Sequence, residues 1–416
     1  MNKSKKILFI MPRLPFPATS GRKTSLYHYC RILTEELGYK LIVAAFLEKG
    51  DNPKLKPDFI DKLVVLPKPS AVTKLKNILV DSLILKKKPM QVSLYWDLKV
   101  KKIVDDLVES EKPDIVIGDM VRSTEYIKDC NAVRIADLDD RISLRYQRQI
   151  DYDITGINPY GAFLNTVPTL IRKIMLWKPL KLYVVKNEIA LLKKYEVEIA
   201  RKCEKTIFVA QKEADEMNKE LSISKASAVP IGVDVDYFSY RENNLDEEYI
   251  GFLGAMSVAH NENAVRYFVA NIFPDIIRER PDAKFLVIGG GASEDLKKLE
   301  SKYVHFTGRV DDVRDYLEKC KVFVCPMTFG SGIKTKNLEA MAMGIPVVTT
   351  TIGAENINAR SQKEWIVKDD PKEFAMEVSK ILEDSKKRKQ MSCSARNFVI
   401  NKWTWEAARS SFEKIL

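Results

Sequence analysis

Short apolar runs alternate with stretches of helical period along most of the chain. Lys6 to Met11 is an apolar run bounded by the proline- and glycine-bearing loop Pro12–Gly21, and it reads as a buried strand. A helical pattern runs from about Arg22 to Glu36, and a second strand from Lys40 to Phe46. This βαβ opening predicts a parallel sheet with helices on both faces. Further short strands are expected at Lys62–Leu66, Ile115–Ile117, Arg134–Ala136 and Thr206–Val209. The polar stretch Arg241–Glu248 reads as a linker, and the alternation then restarts. Strands are expected at Tyr249–Leu253, Lys284–Gly289, Val304–Thr307, Val322–Cys325 and Pro346–Thr349, with helices at Asn263–Arg280 and Asp312–Lys319. The end, Ser394–Leu416, is helical and carries Trp403 and Trp405. One region stands apart: Asn158 to Ala200 reads as long, helical and rich in both lysine and bulky apolar side chains.

The 416 residues suffice for two or three domains. No apolar run approaches the roughly 18 residues of a membrane span, and the N-terminus reads as a first strand rather than a signal peptide. Six cysteines without CxxC spacing are expected to be reduced thiols of a cytoplasmic protein. Three scattered histidines make a metal site unexpected. The formal charge of +11 implies an anionic partner.

The stretch Phe329–Pro346 carries the clearest chemistry. It leaves an apolar strand, passes through Gly330, Ser331 and Gly332, presents Lys334 and Lys336, and enters a helix with one carboxylate, Glu339. Glycines let backbone amides approach a ligand. Lysines at a helix start favour an anion such as a diphosphate. Glu339, about one turn in, is placed to accept hydrogen bonds from hydroxyls. Together these suit a nucleotide-sugar. Gly289-Gly290-Gly291 lacks the GxGxxG order and reads as a plain strand exit rather than a nicotinamide site.

In order along the chain, several segments resemble motifs of the GT-B glycosyltransferases, specifically the large retaining group called family 4, and its bacterial exopolysaccharide and capsule members most. Pro12–Gly21 resembles the first-strand glycine loop, and Val229–Phe238 the "PNGVD" hinge with Ile231 in place of Asn. Phe306–Val310 resembles the "F-x-G" strand end, Gly330–Gly344 the donor loop and helix, and Thr349–Glu355 the "T-x-x-G-G/A" segment. The resemblance implies two doubly wound Rossmann-like α/β domains facing a cleft. It implies an acceptor domain over residues 1–230, completed by a C-terminal helix crossing back from about 397 to 416, and a donor domain over 231–396. It implies a donor site drawn from Gly21, Gly254, Arg309, Gly330, Ser331, Gly332, Ile333, Thr335, Asn337 and Glu339; the candidate catalytic residues beside it are Lys336, Lys334 and Asp119. The implied donor is a nucleoside diphosphate sugar, UDP- or GDP-linked, with no separate cofactor and no metal. The chain departs from the family twice. Ser331 stands where relatives carry the first glutamate of a pair spaced by seven residues, and Gly254–Asn263 contains no cation where relatives carry Arg and Lys. Lys334 and Lys336 are therefore the candidates for stabilising a leaving diphosphate.

Asp119 follows a strand, where doubly wound sheets place ligands, and is a candidate for acceptor contact. Asp137, Asp139 and Asp140 follow another strand, and His260 is a candidate for donor contact. Two basic, apolar stretches, Arg172–Lys194 and Lys74–Lys88, read as surfaces for an anionic membrane and fit a saccharide or lipid-linked acceptor. No nucleic-acid module is visible. The competing readings are a UDP-sugar 2-epimerase of the same fold, for which histidines are few, and a degenerate scaffold.

Overall fold

The computed structural model describes residues 5–18, 21–48, 50–152, 160, 164, 169–240, 247–330 and 332–416. It divides into two compact units, Met1–Pro230 with Glu406–Leu416, and Ile231–Trp405.

The first unit is built on seven strands: β1 (Lys6–Met11), β2 (Lys40–Phe46), β3 (Lys62–Leu66), β4 (Ile115–Asp119), β5 (Val133–Asp139), β6 (Lys205–Phe208) and β7 (Ala226–Ala228). Their order is β3-β2-β1-β4-β5-β6-β7, all parallel. Ile7 of β1 stands opposite Leu41 on one side and Ile115 on the other. A strand enclosed in this way buries both faces, so it must be apolar throughout rather than alternating. The helix after β1 spans Gly21–Arg31 and then widens over Ile32–Glu36, where the Leu37 amide donates to Ile32 O five residues back at 2.9 Å.

The second unit repeats the plan with β8 (Tyr249–Leu253), β9 (Lys284–Ile288), β10 (Val304–Gly308), β11 (Cys320–Cys325), β12 (Val347–Thr349) and β13 (Ile366–Val367). The order is β10-β9-β8-β11-β12-β13, again all parallel. Its core is aromatic: the Phe268 and Phe285 rings lie 4.5 Å apart between centroids, and Phe252, Phe323 and Trp365 are fully buried. Both sheets reverse their strand order once, between β1 and β4 and between β8 and β11. Ligands of such sheets bind at the carboxyl ends of the strands at that reversal.

The C-terminal boundary differs from the expected one. Trp403 is buried in the second unit's core, and its carbonyl accepts the Val233 amide at 2.7 Å. Trp405 packs on Gly232, where a Cβ would come within 2.4 Å of the indole. Residues 397–405 thus stay with the second unit, because the helix Ser385–Lys402 buries Met391, Ala395, Phe398 and Val399 there. Residues 406–416 belong to the first unit. There Phe412 meets Tyr29 edge-on at 5.0 Å and Arg409 Nε lies 3.5 Å from Glu36.

Candidate functional site

At the second unit's reversal, three chain segments meet with almost no space for side chains. The Gly254 amide donates to Ile288 O at 2.9 Å and the Met256 amide to Gly290 O at 2.8 Å. Gly289 has φ +123°, and a Cβ there would lie 2.2 Å from Gly254 O. The β8 and β9 exits are therefore pressed backbone to backbone. Beside them β11 runs out through Pro326 to Gly330, and the loop turns at Gly330 (φ +135°) and Gly332 (φ +71°). Both angles favour glycine. The helix Thr335–Ala342 then starts directly after this loop, at the end where a helix leaves backbone amides outside its own ladder.

Two lysines close the arrangement. Lys334 is buried and its ammonium donates to Gly332 O at 2.7 Å. Lys336 donates to Asn261 Oδ1 at 2.6 Å and lies 4.4 Å from the centre of the Phe252 ring. Asn261 is held in turn by its amide on Ala255 O at 3.0 Å. A Cβ on Gly254 would sit 2.9 Å from Lys336 Nζ. Glycine at 254 is thus what lets the ammonium reach the strand end. Burial pulls the Lys336 ammonium down to about 8, with Cys325 and Glu339 opposing and Lys334 adding to the shift. Burial pushes the Glu339 carboxyl up, against the Lys336 charge and the Thr335 hydroxyl. An ammonium short of solvent beside a helix start is a receptor for a compact anion.

The turn after β12 braces this site. Thr350 Oγ1 donates to Met327 O at 2.6 Å and accepts the Gly353 amide at 3.1 Å, while Thr349 Oγ1 donates to Cys325 O at 3.0 Å. A Cβ on Gly353 would lie 2.1 Å from Thr349 Oγ1.

The structure places Gly330, Gly332, Lys334, Thr335, Lys336 and Glu339 on this loop and helix, and brings Gly254, at the β8 exit, against Lys336. Four expected donor residues are placed differently. Asn337 is fully buried, with its amide on Gly353 O at 2.9 Å, so it ties the helix to the bracing turn instead of facing a ligand. Ile333 packs against the core. Arg309 is exposed beyond β10, beside Gly290. Gly21 is exposed and belongs to the first unit. Ser331 lies outside the described residues. His260 stands edge-on to Phe329 at 6.4 Å, next to the glycine loop. Asn261 and Phe252 were not anticipated. The one sequence signal for Asn261 is a polar residue just past a strand end that lacks the cation found in relatives.

In the first unit, Asp119 is fully buried and so is not open to direct contact. Arg22 holds it, a residue that sequence reasoning passed over. Arg22 also binds Asp137 and Asp139, from the ends of neighbouring β5. Burial and mutual repulsion hold the Asp137 and Asp139 carboxyls above their ordinary range, against the pull of Arg22. Asp140 is taken up separately by Arg145 at 3.0 Å.

Residues 247–384 match the family model described as glycosyl transferases group 1. A Klebsiella pneumoniae protein, an uncharacterized 44.6 kDa protein in the cps region, is 24% identical over 264 residues, covering 61% of this chain and 64% of that protein. A GDP-mannose-dependent monoacylated alpha-(1-6)-phosphatidylinositol monomannoside mannosyltransferase of Corynebacterium glutamicum is 28% identical over 209 residues, covering 45% of this chain and 55% of the relative. The chain thus spans under two thirds of the length of these relatives. The solved structure of WaaG, a glycosyltransferase involved in lipopolysaccharide biosynthesis, superposes with TM-score 0.63 at 14% identity, covering 98% of this chain and 99% of that one. Two parallel-sheet units with that likeness, and a matching model over most of the second, place the chain: it carries a glycosyl transferases group 1 domain and is built on the GT-B fold.

Proposed function

We propose that this protein is a glycosyltransferase that moves a sugar from a nucleoside diphosphate donor to a saccharide or lipid-linked acceptor. The observation that carries the reading is the pair Lys334 and Lys336, set with glycine amides and a helix start at the reversal between β8 and β11. These groups receive the diphosphate, and Glu339 receives the ribose hydroxyls. Fixed cations and dipoles aimed at a departing diphosphate are the largest catalytic contribution expected of such a site. Transfer is read as independent of a metal, because the lysines supply the charge a metal would otherwise supply, and as retaining on the family resemblance alone.

The acceptor side of the reading rests on the first unit's surface. The helix Ala71–Asn77 and the wide turn Ile78–Ile84 that continues it expose Val72 (77%), Leu75, Leu79 and Ile84 (71%). Trp177 (64%) and Tyr183 are exposed on the second basic stretch. The stretches adjoin: Lys86 Nζ lies 5.8 Å from the Tyr183 ring centre, and Asn187 Nδ2 donates to Ser82 O at 3.1 Å. Apolar side chains ringed by exposed lysines suit an anionic bilayer, which fits a lipid-linked acceptor.

The test is a donor screen. UDP-, GDP- and ADP-sugars are offered to the purified chain, and nucleotide release is measured with and without a glycolipid extract. Release from one nucleotide class, stimulated by acceptor, is the expected result. Absence of binding and release for every class would contradict the reading.

A further inference from the structure

The helix that follows β8, Ala259–Asn271, holds the glycine loop from outside it. Three residues near its start each meet one point of the loop. Asn263 Oδ1 accepts the Thr328 hydroxyl at 2.5 Å where the loop begins, and His260 stands edge-on to Phe329. Asn261 Oδ1 accepts Lys336 Nζ at 2.6 Å where the loop ends.

Asn261 is itself fixed. It is 5% exposed, its side-chain amide donates to Ala255 O at 3.0 Å, and its backbone amide donates to Val258 O at 2.9 Å. The two side-chain contacts set which end of the amide points where, since a carbonyl needs a donor and an ammonium needs an acceptor.

Both groups that seat Lys336 are neutral: the Asn261 oxygen, and the Phe252 ring 4.4 Å away. Among the described residues, no carboxylate forms an ion pair with Lys336, and Asn261 is the only hydrogen-bond acceptor its ammonium meets. The charge is therefore uncompensated, and two of the three ammonium protons are unused. A cation taken out of water without a counter-charge is costly. A carboxylate at 261 would cancel that cost, and an apolar side chain would free the lysine to swing towards water. Asparagine does neither, which suits a site kept open for an anion.

We propose that Asn261 is a positioning residue for the diphosphate, seating Lys336 at the β8 exit through a neutral oxygen so that the charge and remaining protons of the ammonium go to the ligand. The inference deepens the transferase reading above, from which it takes its ligand.

Charge state supplies a readout that a merely structural role would not move. Cys325 of β11, Lys334 of the loop and Glu339 of its own helix face the Lys336 ammonium. Asn261→Asp adds a carboxylate to that set. A carboxylate beside an ammonium favours its charged form, so the loss of anion binding at alkaline pH moves to higher pH. Binding at pH 7 weakens all the same, because the new carboxylate takes up the charge.

The experiment titrates inorganic pyrophosphate into the full chain by calorimetry over pH 7 to 10, and measures sugar-nucleotide turnover on the same samples. Wild type is expected to bind. Asn261→Ala should bind about tenfold more weakly, and Asn261→Ser is read beside it so that one variant failing to fold still leaves a measurement. Asn261→Asp should bind at least about tenfold more weakly at pH 7, with its alkaline loss at higher pH than in wild type. In a Lys336→Ala background, Asn261→Ala should change affinity by less than about twofold, because the residue it positions is gone. No binding of pyrophosphate by wild type, wild-type affinity in Asn261→Ala or Asn261→Asp, or full additivity with Lys336→Ala would overturn the proposal. Pyrophosphate binding with the expected pattern but no turnover of any sugar nucleotide would support it and count against the transferase reading instead.

Discussion

At Gly254 a single methyl group decides whether Lys336 keeps its place. A Cβ there meets the Asn261 amide at 2.8 Å and Lys336 Nζ at 2.9 Å, so Gly254→Ala must displace one of them. Losing the ammonium from the anion site should weaken nucleoside diphosphate affinity by about tenfold, read as a smaller nucleotide-induced shift in melting temperature. Lys336 also makes two opposite pH predictions. Its ammonium is depressed to about 8 in the folded chain and titrates at roughly 10.4 when unfolded. Between those values the unfolded chain binds the proton that the folded site has released. The contribution of this group to stability of the unliganded chain therefore rises with pH across that window. Diphosphate binding needs the charged form, so its affinity should fall above pH 8. Melting and binding measured over pH 7 to 10 check both trends, and the second should be absent from Lys336→Gln.

Among the elements, the helix Thr335–Ala342 depends on one distant arginine. Arg396 Nη1 caps its end at Ala342 O and also donates to Phe238 O at 3.2 Å, while Nη2 reaches Val235 O at 3.4 Å. One guanidinium thus fixes the hinge segment to the helix that opens the lysine site. Arg396→Ala leaves these carbonyls short of a donor and should cost about 2 kcal/mol, seen as a lower urea midpoint by tryptophan fluorescence. The elements also show what the sequence could reveal. The lysine loop was legible because its glycines, cations and helix start are contiguous between Phe329 and Glu339. The Arg22 cluster was not, because its partners lie 97, 115 and 117 residues away. Apolar runs identify strands β1, β4 and β5 but not the order that sets them side by side. β7, with Ala226, Ser227 and Ala228, and the two-residue β13 carry too few apolar side chains to register as strands. Trp403 was assigned to the wrong unit because an aromatic residue near a chain end announces burial without saying in which core.

At the scale of the whole molecule, the charge of +11 is not spread evenly in its chemistry. The second unit gathers lysines at its sheet reversal, and the first gathers carboxylates at the equivalent place while displaying its lysines among exposed apolar side chains. That surface should bring the chain down with vesicles containing phosphatidylglycerol and not with phosphatidylcholine alone. Ile84→Glu with Trp177→Glu should reduce this co-sedimentation strongly while leaving nucleotide binding intact. The transferase assignment depends above all on the lysine site. Its most direct test is titration calorimetry of UDP, GDP and ADP into wild type and Lys336→Ala at pH 7. One diphosphate should bind wild type, and Lys336→Ala should bind it at least about tenfold more weakly while still unfolding in a single cooperative transition. If none of the three binds, or if Lys336→Ala binds as tightly as wild type, the assignment of that site is wrong.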